Sequence, residues 1–214
     1  MIIHRAPQGS PEWHAARAGC ITASNFKLAR QRLKTGPNKG DYTEAAKDYA
    51  FRVAIERISG TALDEGFETW QMKRGHELEP EARRAHEAMT GALVEEVGFV
   101  TTEDRLFGAS ADGFIDDDGG AEYKCFIAPD KLRSILLSGD TTDVIDQCDG
   151  GMWITGRTYW DFCLYCPALE PIGRALTVHR IQRDDNRIEA LEKDLMQFAA
   201  LVADFERVLR QKAA

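Results

Sequence analysis

The period of the hydrophobic pattern changes once along this chain, and that change limits the architectures open to it. Up to about Met89 the apolar residues recur at helical spacing, over 11–16, 23–33, 43–59 and 69–89, the last interrupted or begun afresh near Pro80. Beyond it the apolar runs are short, β-rich and separated by turn residues, at 97–101, 106–109, 113–115 and 121–127, and are expected to form a sheet. Helical spacing returns at 129–137 and 142–155, and strands at 158–166 and 175–181. Ile188, Leu191, Leu195, Phe198, Val202, Phe205 and Leu209 then form one stripe, so 185–211 reads as a single amphipathic helix used for core packing or a subunit contact. The expected fold class is α/β, a mixed sheet flanked by helices.

The 214 residues, 43% of them hydrophobic, can bury one good-sized core. With no repeat and no pooled Pro/Gly linker, the expectation is one domain over 1–214: a helical part (about 1–95), a sheet core (about 96–181) and the terminal helix (about 185–211). No stretch approaches the roughly 18 apolar residues of a membrane span, and Met-Ile-Ile-His-Arg-Ala-Pro lacks the apolar run of a signal peptide. A cytoplasmic location is expected.

Five cysteines, Cys20, Cys125, Cys148, Cys163 and Cys166, are an odd number without framework spacing, so reduced thiols are expected. Cys163 and Cys166 form one C-x-x-C, but on a strand their sulfurs diverge, which argues against zinc, and the set is too scattered for an iron–sulfur cluster. His4, His14, His76, His86 and His179 have neither metal-ligand nor triad spacing, and His14 is expected to pack beside Trp13. Trp13, Trp70, Trp153 and Trp160 are expected in the core rather than stacked on a ligand.

The chemistry concentrates on one hairpin. Asp116-Asp117-Asp118-Gly119-Gly120 supplies its turn, Asp112 stands near the end of one arm, and Glu122-Tyr123-Lys124 lies on the other. Glu122 and Lys124, two apart on a strand, leave one face, while Tyr123 points into packing. Two carboxylates and a lysine can hold magnesium, which takes oxygen ligands and keeps waters, and can serve phosphodiester hydrolysis. A bare Glu-x-Lys is far more often a solvated ion pair, so the hairpin alone decides little. A calcium loop of Asp112, Asp116, Asp118 and Glu122 fails on residue order and on its strand flanks.

The net charge of −8 runs against a nucleic-acid partner, although Lys27, Arg30, Arg32, Lys34 and Lys39 form a local basic patch between Asn25 and Gly40. The patch reads equally well as a solvated helix end and loop.

Several segments in order resemble one family, the phage lambda exonuclease-like (YqaJ viral recombinase) branch of the PD-(D/E)XK nucleases. They are Pro11-Glu12-Trp13-His14-Ala15-Ala16-Arg17-Ala18-Gly19-Cys20-Ile21-Thr22-Ala23-Ser24, Gly75-His76-Glu77-Leu78-Glu79-Pro80-Glu81-Ala82-Arg83, Phe107-Gly108-Ala109-Ser110-Ala111-Asp112-Gly113, Glu122-Tyr123-Lys124-Cys125, and Gln147 with Met152-Trp153-Ile154-Thr155. The resemblance implies a PD-(D/E)XK restriction-endonuclease-like core with magnesium or manganese bound by Asp112, Glu122 and the Tyr123 carbonyl. It further implies that Lys124 assists the attacking water, Glu79 supports the metal, Gln147 lies near the scissile group, and Arg17 and Ser24 hold a DNA phosphate, the 5′-terminal one. A guanidinium near a helix start can grip a phosphate in the same way, though a salt bridge to Glu12 is the plain alternative.

Three positions depart from the family pattern. Ala111 replaces a proline, Phe126 stands where a proline often follows Lys-Cys, and Asp149 replaces a glutamine and could repel DNA or capture a second metal. The implied activity is 5′-to-3′ resection of linear double-stranded DNA ends for recombination, with a single-strand annealing partner and a homotrimer, in a bacterial or virus-infected cell. The alternatives are an endonuclease or other DNA-end processor on the same fold, or an inactive DNA-end-binding scaffold.

Overall fold

The computed structural model describes residues 1–63, 70–125 and 128–211. Two sheets organise it. The first has the order β1 (Ile2–His4), β4 (Phe99–Thr101), β5 (Phe107–Ala109), β2 (Ile21–Thr22), antiparallel except for the β5–β2 pair. The second has the order β3 (Val94–Glu95), β6 (Gly113–Ile115), β7 (Gly119–Cys125), β8 (Tyr159–Tyr165), β9 (Leu176–Gln182). Only β7 and β8 run parallel in it, and α5 (Pro129–Ser138) with α6 (Ile145–Thr155) supplies the crossover that such a pair requires.

The four segments expected as one sheet are therefore divided between two. Ser110, Ala111 and Asp112 carry the chain from β5 to β6, with Ala111 buried at the junction. The hairpin itself forms as expected, with Ile115 opposite Gly119 and Asp116 left-handed at φ 45°. Gly119 and Gly120 belong to the strand rather than the turn. A Cβ on either would lie 2.2 Å from the Tyr159 ring or 2.4 Å from the Trp160 ring, so these glycines admit the large side chains of β8. The end of the expected strand at 126–127, including Phe126, lies outside the described residues.

Among the helices, α1 (Pro11–Arg17) starts at Ser10, whose hydroxyl accepts the Trp13 N–H, and α3 (Glu44–Ser59) starts at Thr43 and stops at left-handed Gly60. The helix expected over 23–33 is reduced to a 3-10 turn (Ala23–Asn25) and the four-residue α2 (Phe26–Ala29). The backbone of 31–33 pairs instead with 41–43, through Leu33 N–H to Asp41 and Thr43 N–H to Gln31, and Arg32 lies 3.4 Å over the Tyr42 ring.

Pro80 does not interrupt α4 (Trp70–Thr90). It removes one intrahelical hydrogen bond, while Leu78, Ala82 and His86 bury a continuous face. Residue 69, the expected start, lies outside the described residues. The last helix, α7 (Asp185–Gln211), matches its expected bounds and packs on α3, with Phe198 stacked on Tyr49.

The second sheet is covered on both faces. Trp160, Phe162 and Leu164 meet Cys148 and Met152 of α6 and the buried stripe of α7, while Ala121, Tyr123 and Cys163 meet Ala82 of α4. No helix among the described residues is long and apolar enough to cross a membrane.

Candidate active site

Strand alternation sets the floor of the site. On β7, Ala121 and Tyr123 turn toward α4, so Glu122 and Lys124 share the opposite face, where Lys124 Nζ donates to Glu122 Oε1 at 2.5 Å. Asp112 stands immediately before β6. Its own N–H reaches the Ala121 carbonyl at 3.2 Å, and its Oδ2 accepts the Tyr123 N–H at 2.7 Å, which locks the carboxylate beside β7. Because N–H and C=O of one residue leave the same edge of an antiparallel strand, the Tyr123 carbonyl is directed to the side where Asp112 lies.

A cavity of about 450 Å³ opens over this floor. Arg17, Ser24, Glu79, Asp112, Glu122, Tyr123, Lys124 and Gln147 all line it, so residues from five separate segments of sequence are brought together. Glu79 comes from α4 and is paired with Arg83 one turn on, at 3.5 Å.

The electrostatics are those of crowded acid. Burial, then the charges of Glu122 and Glu79, push the Asp112 carboxyl well above its usual range against the pull of Lys124 and the Tyr123 N–H. Burial raises Glu79 as well, against Arg83 and His76. Burial works against the charge on Lys124, but Glu122 and Asp112 outweigh it and hold the ammonium above the ordinary lysine value. Burial, followed by the Glu79 charge, pushes the neighbouring Cys125 thiol up to about 12.

Three carboxylates against Lys124 and the Arg83 paired with Glu79 leave an excess of negative charge that a hard cation would relieve. Among the described residues no three His, Cys, Asp or Glu side chains close on one point. Two carboxylates and a carbonyl are nevertheless enough for magnesium, which keeps several waters, so the residues present fit that ion.

The other end of the cavity is cationic. Arg17 ends α1, donates to Ser110 Oγ at 3.1 Å and lies 4.2 Å over the Trp13 ring. The turn after it is held by α3: Glu56 accepts the Gly19 N–H at 3.1 Å and Arg57 donates to the Gly19 carbonyl at 2.9 Å. Ser24 lies beside Thr22, its Oγ 3.3 Å from the Thr22 hydroxyl. Ser110 is a lining residue to which the sequence reading gave no role. Its place two residues before Asp112, with the buried Ala111 between them, is the signal that could have found it.

Several expectations are corrected. Asp149 neither faces the cavity nor lacks a counter-charge, because it is buried and takes two 2.8 Å hydrogen bonds from Arg187 of α7. The basic patch is partly neutralised: Lys27 pairs with Asp143 and Arg30 with Asp146 and Asp194, while among the described residues Arg32, stacked on Tyr42, has no carboxylate partner, nor do Lys34 and Lys39. Trp153 and Trp160 are core residues as expected, but Trp70 is 65% exposed and Trp13 carries Arg17. His14 packs edge-on to Trp13 as expected. His86, passed over in the sequence, is fully buried and bonded to Tyr123 and Asp161.

The chain matches the YqaJ-like viral recombinase domain over residues 12–158. It is similar to an alkaline exonuclease from Laribacter hongkongensis, at 32% identity and a TM-score of 0.80, over 95% of this chain and 98% of that one. The same exonuclease in complex with dAMP gives a TM-score of 0.81 at the same identity and coverage. A phage-related exonuclease from Haemophilus somnus shares the fold at 18% identity and a TM-score of 0.63, over 91% of this chain and 96% of that one. No match was found among curated proteins. With the family match spanning well over half its length and the mixed α/β fold of the alkaline exonucleases, this chain belongs to the YqaJ-like viral recombinase family.

Proposed function

We propose that this protein is a metal-dependent deoxyribonuclease that degrades one strand of linear duplex DNA from its 5′ end, preparing single strands for recombination. The observation that carries this reading is the single cavity with Asp112, Glu122 and Lys124 on its floor and Arg17, Ser24 and Ser110 at one end. The family membership and the likeness to the Laribacter alkaline exonuclease support the reaction class.

In this reading Asp112, Glu122 and the Tyr123 carbonyl would hold magnesium or manganese with Glu79 supporting the site from α4, and the ion would supply Lewis-acid polarisation of the phosphoryl oxygens. Lys124, kept protonated by its carboxylate neighbours, orients the attacking water and offsets charge developing on the phosphoryl group. Gln147 donates its amide to the same group from α6. Arg17 with Ser110 and Ser24 anchors a terminal phosphate, so cleavage is measured from the end. We further read residues 1–214 as one nuclease domain that works inside the cell as a homo-oligomer, a trimer by family resemblance, beside a single-strand annealing protein.

The test compares linear duplex with covalently closed circular DNA, with magnesium or with chelator. Magnesium-dependent loss of one strand from linear DNA, with circles intact, is expected. Cutting of circles would establish an endonuclease, and binding of ends without cleavage an inactive scaffold.

A further inference from the structure

Behind the catalytic strand, on the face opposite Glu122 and Lys124, lies a buried polar chain that the proposed chemistry does not use. The Tyr123 hydroxyl is 3.0 Å from His86 Nδ1, and His86 Nε2 is 3.2 Å from Asp161 Oδ2. Asp161 in turn takes two 2.8 Å hydrogen bonds from Arg180, which lies 4.0 Å over the Tyr159 ring. His86 and Asp161 are fully buried. The pattern assigns the ring: Nε2–H donates to the carboxylate, and Nδ1 accepts from the phenol.

The chain joins four elements. His86 is on α4, Tyr123 on β7, and Asp161 and Arg180 are register partners on β8 and β9. Among the described residues His86 is the buried polar side chain of α4, whose other buried contacts to the sheet are apolar and would tolerate a slide or a small rotation. A hydrogen bond does not, because it is lost within a few tenths of an ångström and leaves its partners unsatisfied in the core. His86 lies seven residues, two turns, beyond Glu79 and so shares its helix face. Tyr123 stands between Glu122 and Lys124, and its N–H holds Asp112. One pin therefore fixes the element that carries Glu79 to the strand that carries Glu122 and holds Asp112.

We propose that the His86–Asp161–Arg180 cluster, acting through the Tyr123 hydroxyl, is a positioning element that sets Glu79 against Asp112 and Glu122. The proposal rests on the exonuclease reading given above. His86 touches neither metal nor DNA and acts through α4.

The experiment measures kcat and KM on linear duplex DNA, and calorimetric Mn²⁺ affinity without DNA, for His86→Gln, Tyr123→Phe, Glu79→Gln and the double variant His86→Gln/Glu79→Gln. Val94→Ala, which loosens packing in the same apolar cluster without touching the pin, is the stability control. The single changes at His86 and Tyr123 are expected to lower kcat and Mn²⁺ affinity about tenfold each with KM for DNA little changed. In the Glu79→Gln background the His86 change is expected to add nothing further to the loss of Mn²⁺ affinity, because its effect runs through Glu79.

Independent, additive losses would overturn the proposal, as would a Val94→Ala variant with the same loss of kcat at the same drop in thermal midpoint. A wild-type protein that binds DNA ends but never cuts them would overturn the exonuclease reading, and this proposal with it. An active wild type with unaffected His86 and Tyr123 variants would overturn the positioning role alone.

Discussion

Replacing Arg17 with alanine should cost this protein its preference for phosphorylated ends rather than its ability to cut. The guanidinium lines the cavity, held by the Ser110 hydroxyl at 3.1 Å and by stacking on Trp13 at 4.2 Å, so it is preorganised for an anion. Hydrogen bonds to a charged group contribute roughly 1.5–3 kcal/mol each. At about 1.4 kcal/mol per factor of ten, one such contact corresponds to roughly a 10- to 140-fold effect. The assay is the ratio of kcat/KM on duplex ends with a 5′ phosphate to that on ends with a 5′ hydroxyl, which cancels any loss of folded enzyme. The ratio should fall toward one in Arg17→Ala and partway in Arg17→Lys, which keeps the charge but loses the fork. An unchanged ratio in a folded Arg17→Ala variant would refute the assignment of this end of the cavity to the terminal phosphate.

Arg187→Ala should destabilise the fold by about 3 kcal/mol, read from chemical denaturation, because it strands the buried Asp149 carboxylate. Asp149→Asn in that background should recover part of the loss, and metal dependence of the folded fraction should not change. On Asp161, burial favours the neutral form but the bonds from Arg180 and His86 outweigh it and hold the carboxyl below the usual range. Its contribution to stability is therefore present above the unfolded-state value and lost as pH falls through the folded-state one. Arg180→Ala should move the midpoint of acid unfolding to higher pH, followed by circular dichroism, and an unmoved midpoint would contradict that account.

The parts legible in the sequence are those encoded locally. The β6–β7 hairpin announces itself through its Asp-rich turn and the alternation of Glu122, Tyr123 and Lys124, and α7 through a sustained helical stripe whose bounds the structure reproduces. The three-residue β1 and the two-residue β2 and β3 are too short to show a period, which is why the partition into two sheets was not visible. Long-range pairing hid the rest. Nothing near Asp149 points to Arg187, 38 positions away, and nothing near His86 points to Asp161, 75 positions away. Pro80 misled for a related reason, since the burial of Leu78, Ala82 and His86 against the sheet outweighs its local cost. Ser110 was readable from its place beside Ala111 and Asp112 once Asp112 was fixed.

The central claim is that Asp112, Glu122 and Lys124 form a centre that hydrolyses DNA, and strand-resolved degradation of 5′-phosphorylated linear duplex tests it most directly. Wild type and Lys124→Ala are compared in magnesium and in chelator, with folding of both verified by circular dichroism. The account predicts magnesium-dependent loss of the 5′-ended strand by the wild type and a rate lower by about 100-fold or more in Lys124→Ala, as expected when a group stabilising charge in the transition state is removed. A folded wild type that cuts nothing in magnesium or manganese, or a Lys124→Ala variant as active as wild type, would contradict it.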